Sequence, residues 1–148
     1  MIPCMPSCGR PRGITSPHEI IMPSIPAEIF RAYDIRGIVG RDLTPETVFR
    51  IGRGLGTVAR HAARDPDRGV ARQVAVAMGR DGRLSGSELA AALADGILAS
   101  GADVIDLGMV PTPLAYFAAH RTGCGNAVML TGSHNPPEYN GLRSEEHT

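Results

Sequence analysis

The sequence predicts an α/β domain of three layers over residues 30–142, and two observations carry that reading. Short apolar runs recur at Gln73–Met78, Asp103–Leu107 and Ala127–Leu130, each stopped by glycine or polar turn residues. Between them lie stretches whose apolar residues return every three or four positions, the period of a helix that buries one face. Aromatic residues are 4% of the chain, so such a core is built from Ala, Val, Ile and Leu.

The chain has 148 residues, enough for one domain with a proper core. Residues 1–24 are rich in Pro, Gly, Ser and Cys and show no periodicity. They read as a disordered or spurious leader with Met22 as an alternative start, and they lack the continuous apolar stretch of a signal peptide. Residues 25–142 form the domain. Phe30–Gly40 is expected to fold as a short strand, a turn and a second short strand, with solvated arginines if it is an edge hairpin.

Thr44-Pro45-Glu46 opens a helix: a cap residue, proline at the first helical position, then an acid in the first turn. Val48, Ile51, Leu55 and Val58 give it a buried face. After the strand at residues 73–78, Ser85-x-x-Glu88 reads as a capping box for a second helix that carries Leu89, Leu93 and Ile97 inward and ends at Gly101. The intervening Gly79–Glu88 lacks both the G-x-G-x-x-G and the Walker spacing, which disfavours a nucleotide-binding domain. Gly108 closes the strand at residues 103–107. Pro111-Thr112-Pro113 starts a third helix that ends near Gly123.

A formal net charge of zero argues against a partner held by bulk electrostatics, so no nucleic acid is expected. No apolar run approaches membrane-spanning length, and the simplest address is the cytoplasm. Cys4, Cys8 and Cys124 have no metal-binding spacing, and all 15 basic residues are arginine.

The chemistry concentrates in Thr131-Gly132-Ser133-His134-Asn135-Pro136-Pro137-Glu138-Tyr139-Asn140-Gly141. This loop leaves the carboxyl end of an apolar strand, where open α/β sheets build ligand sites. Gly132 removes a side chain beside the serine, and two prolines stiffen the loop behind it. A rigid, exposed serine suits a covalent carrier, since the nucleophile must be held near its attack geometry. His134 is suited to handling the proton, or it hydrogen-bonds within the loop; spacing does not choose between the two.

The loop resembles the phosphoserine loop of the α-D-phosphohexomutases, in particular the bacterial phosphomannomutase/phosphoglucomutase branch. Phe30-Arg31-Ala32-Tyr33-Asp34-Ile35-Arg36-Gly37, Gly79-Arg80-Asp81-Gly82-Arg83-Leu84-Ser85 and Gly108-Met109-Val110-Pro111-Thr112-Pro113 match the same family in the family's order. The resemblance covers residues 25–142 and implies a truncated first domain with a mixed sheet. It implies transfer of a phosphoryl group between the 1- and 6-positions of mannose or glucose phosphates through a bisphosphorylated sugar. Ser133 would carry the group and bind Mg²⁺, with His134 catalytic and Tyr33, Arg36 and Asn135 contacting substrate. Asp81 and Arg83 read as mainly structural.

The family's aspartate loop, which completes the Mg²⁺ site, is absent from this chain, so the fragment alone is expected to be inactive. The alternative reading is a non-catalytic domain that binds phosphate or a phosphosugar. Arg143–Thr148 reads as an adaptor-derived tail that continues no strand, leaving a sheet edge unpaired after Leu142.

Overall fold

A computed structural model describes residues 25–31, 34–63 and 73–146. The order of elements is a 3₁₀ turn at Ala27–Ile29, then β1 (Ile35–Ile38), α1 (Pro45–Ala62), β2 (Ala75–Arg80), α2 (Gly86–Ala99), β3 (Asp103–Met109), α3 (Thr112–Thr122), β4 (Asn126–Leu130) and β5 (Tyr139–Glu146). The five strands form one mixed sheet in the order β1-β5-β4-β2-β3. β2 runs parallel to β3 and β4, whereas β5 is antiparallel to both of its neighbours, β4 and β1.

The expected α/β three-layer architecture is observed. On one face, Val76, Met78, Val128, Leu130 and Leu142 pack with Val48 and Ile51 of α1 and Leu89, Leu93 and Ile97 of α2. On the other, α3 sets Ala119 over Ala77 and Ala127 and Ala115 against Gly79, where small side chains let the helix lie close. Alternate residues of β2 and β4 thus serve opposite faces, the period of two that a doubly covered strand needs.

Thr44 caps α1 as expected, its hydroxyl accepting from the Thr47 amide at 3.2 Å. Val58, expected in the buried face, is 50% exposed. The buried stripe instead runs through Val48, Ile51, Gly52, Gly56 and Ala59, because α1 meets α2 along a seam of glycines rather than of large apolar residues. A Cβ on Gly52 would strike the Leu93 carbonyl, and one on Gly96 the Phe49 carbonyl.

The capping box is not formed either. Ser85 has helical backbone angles and makes no cap, and its hydroxyl accepts from the fully buried Asn140 side chain at 2.9 Å. Gly101 and Gly123 supply the left-handed residues after α2 and α3, with φ of 86° and 71°. β3 continues past Gly108, whose φ of 69° accompanies a register shift opposite Met78 and Arg80.

Two further expectations are corrected. Among the described residues of 30–40 there is one strand, β1, with isolated bridges from Phe30 to Ile35 and from Val39 to Leu43. The strand at the serine loop's exit does not stop at Leu142: Arg143–Glu146 pair with Asn126–Met129 in register. Strand pairing is made by main-chain groups, so a polar segment without apolar alternation can occupy a ladder. The edge expected to be open after Leu142 is therefore covered, with β1 and β3 as the sheet's edges. The leader at residues 1–24 and Tyr33 lie outside the described residues.

Candidate active site

The serine loop begins where β4 ends, at the carboxyl end of the parallel strands. The Thr131 amide donates to the Gly141 carbonyl at 2.9 Å, so β4 and β5 close the loop as a hairpin with a long tip. Gly141 is obligatory at this closure, since a Cβ there would meet the Ile35 and Thr131 carbonyls.

Inside that tip the backbone folds back on itself. The Asn135 amide donates to the Gly132 carbonyl at 3.0 Å and the Tyr139 amide to the Pro136 carbonyl at 3.0 Å. Ser133 has φ of 53°, the only positive value at a non-glycine among the described residues. That left-handed turn costs about 1–2 kcal/mol for an L-residue and persists where the surroundings over-determine it. It leaves the Ser133 side chain exposed, with Oγ 3.1 Å from Nδ1 of His134. With the proton on Nε2, Nδ1 accepts from the hydroxyl and is placed to take its proton.

Two groups from the β2–α2 turn hold the loop from below. Asp81 Oδ2 accepts from the Thr131 hydroxyl at 2.7 Å and the Gly132 amide at 3.2 Å, and the Thr131 hydroxyl in turn accepts from the Ser133 amide at 2.9 Å. Arg83 donates to four loop carbonyls, those of Ser133, Asn135, Pro136 and Tyr139, at 2.7–3.0 Å. Its guanidinium occupies the space that a Cβ on Gly132 would take.

A small cleft runs beside the serine, lined by Asp34, Arg36, Thr112, Thr131, Ser133, Leu142 and Arg143. Arg36 is not a solvated surface arginine: its side chain is 14% exposed and it pairs with Asp34 at 2.8 Å. A third contact, to the Gly132 carbonyl at 3.4 Å, leans it against the serine loop. Its remaining N–H groups are available to an anion in the cleft, and a guanidinium matches phosphate geometry. Thr112, the first residue of α3, brings that helix's start to the same cleft.

The structure thus brings together Ser133, His134 and Arg36. Asn135 enters through its backbone, as one of the carbonyls around Arg83. The sequence reads Asp81 and Arg83 as mainly structural, which these contacts bear out, but it does not show that they grip the serine loop, because those partners lie about fifty residues away and most are main-chain atoms without a side-chain signature. Among the described residues no group of three or more His, Cys, Asp or Glu side chains could hold a metal ion. No helix among them is long and apolar enough to cross a membrane.

Residues 27–145 match the family model for phosphoglucomutase/phosphomannomutase, alpha/beta/alpha domain I. The chain belongs to the phosphoglucomutase/phosphomannomutase family. A phosphomannomutase/phosphoglucomutase of Pseudomonas aeruginosa is 52% identical over 121 residues, which are 82% of this chain and 24% of that protein. A phosphoglucomutase of Neisseria gonorrhoeae is 50% identical over 122 residues, 82% of this chain and 25% of that protein. The crystal structure of a phosphoglucomutase/phosphomannomutase family protein from Burkholderia thailandensis superposes with a TM-score of 0.70 at 46% identity, covering 80% of this chain and 26% of that one. The chain therefore spans about a quarter of the length of the curated relatives it matches and corresponds to their domain I.

Proposed function

We propose that this chain is the phosphoryl-carrying first domain of a cytoplasmic phosphomannomutase/phosphoglucomutase, an isomerase that interconverts hexose 1- and 6-phosphates. The observation that carries the reading is Ser133 itself. It is a left-handed, solvent-facing serine whose Oγ lies 3.1 Å from an imidazole nitrogen, at the mouth of a cleft lined by Arg36.

In this reading Ser133 holds the phosphoryl group when the cycle begins. The Oγ–P bond breaks as an O–P bond forms to the free hydroxyl of the sugar phosphate, whose proton passes to a base. Ser133 Oγ is left as the alkoxide or, with a proton taken up, the alcohol. After the bisphosphorylated sugar turns around, Oγ attacks the other phosphoryl group and the product leaves as the isomeric monophosphate.

His134 Nδ1 is placed to hold the Oγ proton in the resting serine and to take it as the new Oγ–P bond forms. Arg36 neutralises phosphoryl charge from the side, with Asp34 fixing its fork. Tyr33 and Asn135 are assigned to substrate contact. Mg²⁺, when bound, would offset charge on the transferring group. Ser133 Oγ is the group assigned to hold it, while Asp34 is paired with Arg36 and Asp81 is engaged by the loop.

Replacing domain I of the P. aeruginosa relative with residues 25–146 tests the reading. The graft is expected to turn over glucose 1-phosphate and mannose 1-phosphate, Ser133→Ala to abolish turnover, and the isolated chain to give none. A folded graft that is inactive, or one that still works as Ser133→Ala, would sink the assignment.

A further inference from the structure

Both arginines near Ser133 carry the same charge, yet their donors are spent differently. A guanidinium has five N–H groups. On Arg83 the four Nη hydrogens are committed within the loop, two to Pro136 and Tyr139 and two to Ser133 and Asn135, while Nε forms an ion pair with Asp81 Oδ2 at 3.4 Å. The Nη groups that would grip a phosphate are thus spent on the loop. Among the described residues Arg36 makes three contacts, two of them to the one oxygen Oδ2 of Asp34.

Asp81 is similarly saturated from the other side. Oδ1 accepts the Arg83 amide at 3.1 Å, while Oδ2 takes the Thr131 hydroxyl and Gly132 amide and so fixes the Ser133 amide through Thr131. The two side chains therefore hold Gly132 before Ser133 and Asn135 two residues after it, together with the Ser133 carbonyl and, through Thr131, its amide. The strained φ occurs at the one residue held from both directions.

We propose that Arg83 and Asp81 are positioning residues for phosphoryl transfer at Ser133, forming a clasp that keeps the serine left-handed and its hydroxyl turned to the cleft without touching phosphate themselves. The proposal rests on the reading of Ser133 as the phosphoryl carrier. Its physical content is preorganisation: the loop's carbonyls are gathered on one cation, so the nucleophile does not have to find its geometry at each turnover. Charge alone is insufficient, because a lysine ammonium has three donors on a flexible stem and cannot meet four carbonyls and a carboxylate in one plane.

The test is NMR on the 148-residue chain with Arg83→Lys and Asp81→Asn. In the native chain, the three-bond HN–Hα coupling and the strong intraresidue NOE of Ser133 report its left-handed φ. In Arg83→Lys the amides of β2 and β4 are expected to keep their shifts, while the Ser133 signature disappears and amides of residues 132–141 exchange on the order of tenfold faster or more. Asp81→Asn, which keeps an acceptor for Thr131 and Gly132, is expected to fall between the two and supplies the readout if Arg83→Lys does not fold. A folded variant with native Ser133 coupling and native loop protection would overturn the clasp.

In the graft described above, Arg83→Lys is expected to lower kcat with KM unchanged; a merely stabilising role would reduce the amount of folded enzyme and leave kcat per site intact. If the native graft is inactive, the carrier reading fails, while the NMR result still decides whether the clasp exists.

Discussion

At the scale of single residues, the turn that leads β1 into α1 shows how a polar side chain substitutes for packing. The Asp42 carboxylate receives both Arg41 Nε and an Nη at 2.8 Å, and the Ile38 amide at 3.0 Å. The Arg41 hydrogen bonds, and after them the Ile38 amide, hold its pKa at about 2, below its ordinary 3.8. A depressed carboxylate pKa stabilises the fold above the unfolded value and loses that contribution as pH falls toward the folded one. The melting temperature of the native chain should thus exceed that of Asp42→Asn at neutral pH, and the gap should close between pH 3.8 and about 2. A gap that stays constant through that window would show that the charge contributes nothing. Ser133 lies at the same scale: its hydroxyl was legible as a nucleophile because its neighbours spell out a loop, whereas its left-handed backbone was not.

At the scale of elements, the contact of α1 with α2 turns on glycines. Gly54 is exposed with open space around its missing side chain, whereas a Cβ on Gly96 would meet the Phe49 backbone. Helix propensity alone predicts that alanine at either position stabilises by about 1 kcal/mol. Overpacking costs about 1–3 kcal/mol and wins only where there is no room. Gly54→Ala should therefore raise the urea midpoint, by about 1 kcal/mol of stability, and Gly96→Ala lower it, by a net of up to about 2 kcal/mol. If both raise it, the helices are not packed along this seam. The periodicity of α1 located the helix and its cap correctly but put Val58 in the buried stripe, because pattern counting credits large apolar residues and gives glycine no weight.

At the scale of the whole molecule, the strand order decides what the serine loop rests on. β5 comes last in sequence but lies between β1 and β4, so the loop is clamped at both ends only when its exit strand is paired. Ending the chain at Leu142 removes the partners of Asn126–Met129 and bares one side of a buried strand. Four lost ladder pairs at roughly 0.5–1.5 kcal/mol per hydrogen bond should lower stability by several kcal/mol and promote edge-to-edge association. Light scattering and thermal melts compare the two lengths; a shortened chain that stays monomeric with an unchanged melt would refute this.

What the sequence determined by itself was local. Apolar period, turn chemistry and cap residues identified the three helices and the strands that flank them, and the ordered motifs pointed to Ser133, His134 and Arg36. These signals are short-range, because φ/ψ preference and one-face burial are written within a few residues. The tertiary structure alone decided that Arg83 closes on carbonyls fifty residues away, that Ser85 serves Asn140 rather than its own helix, and that a polar segment completes the sheet. Main-chain groups supply those contacts, and every residue carries the same main chain, so nothing in the letters distinguishes the carbonyl that is used from the one that is not.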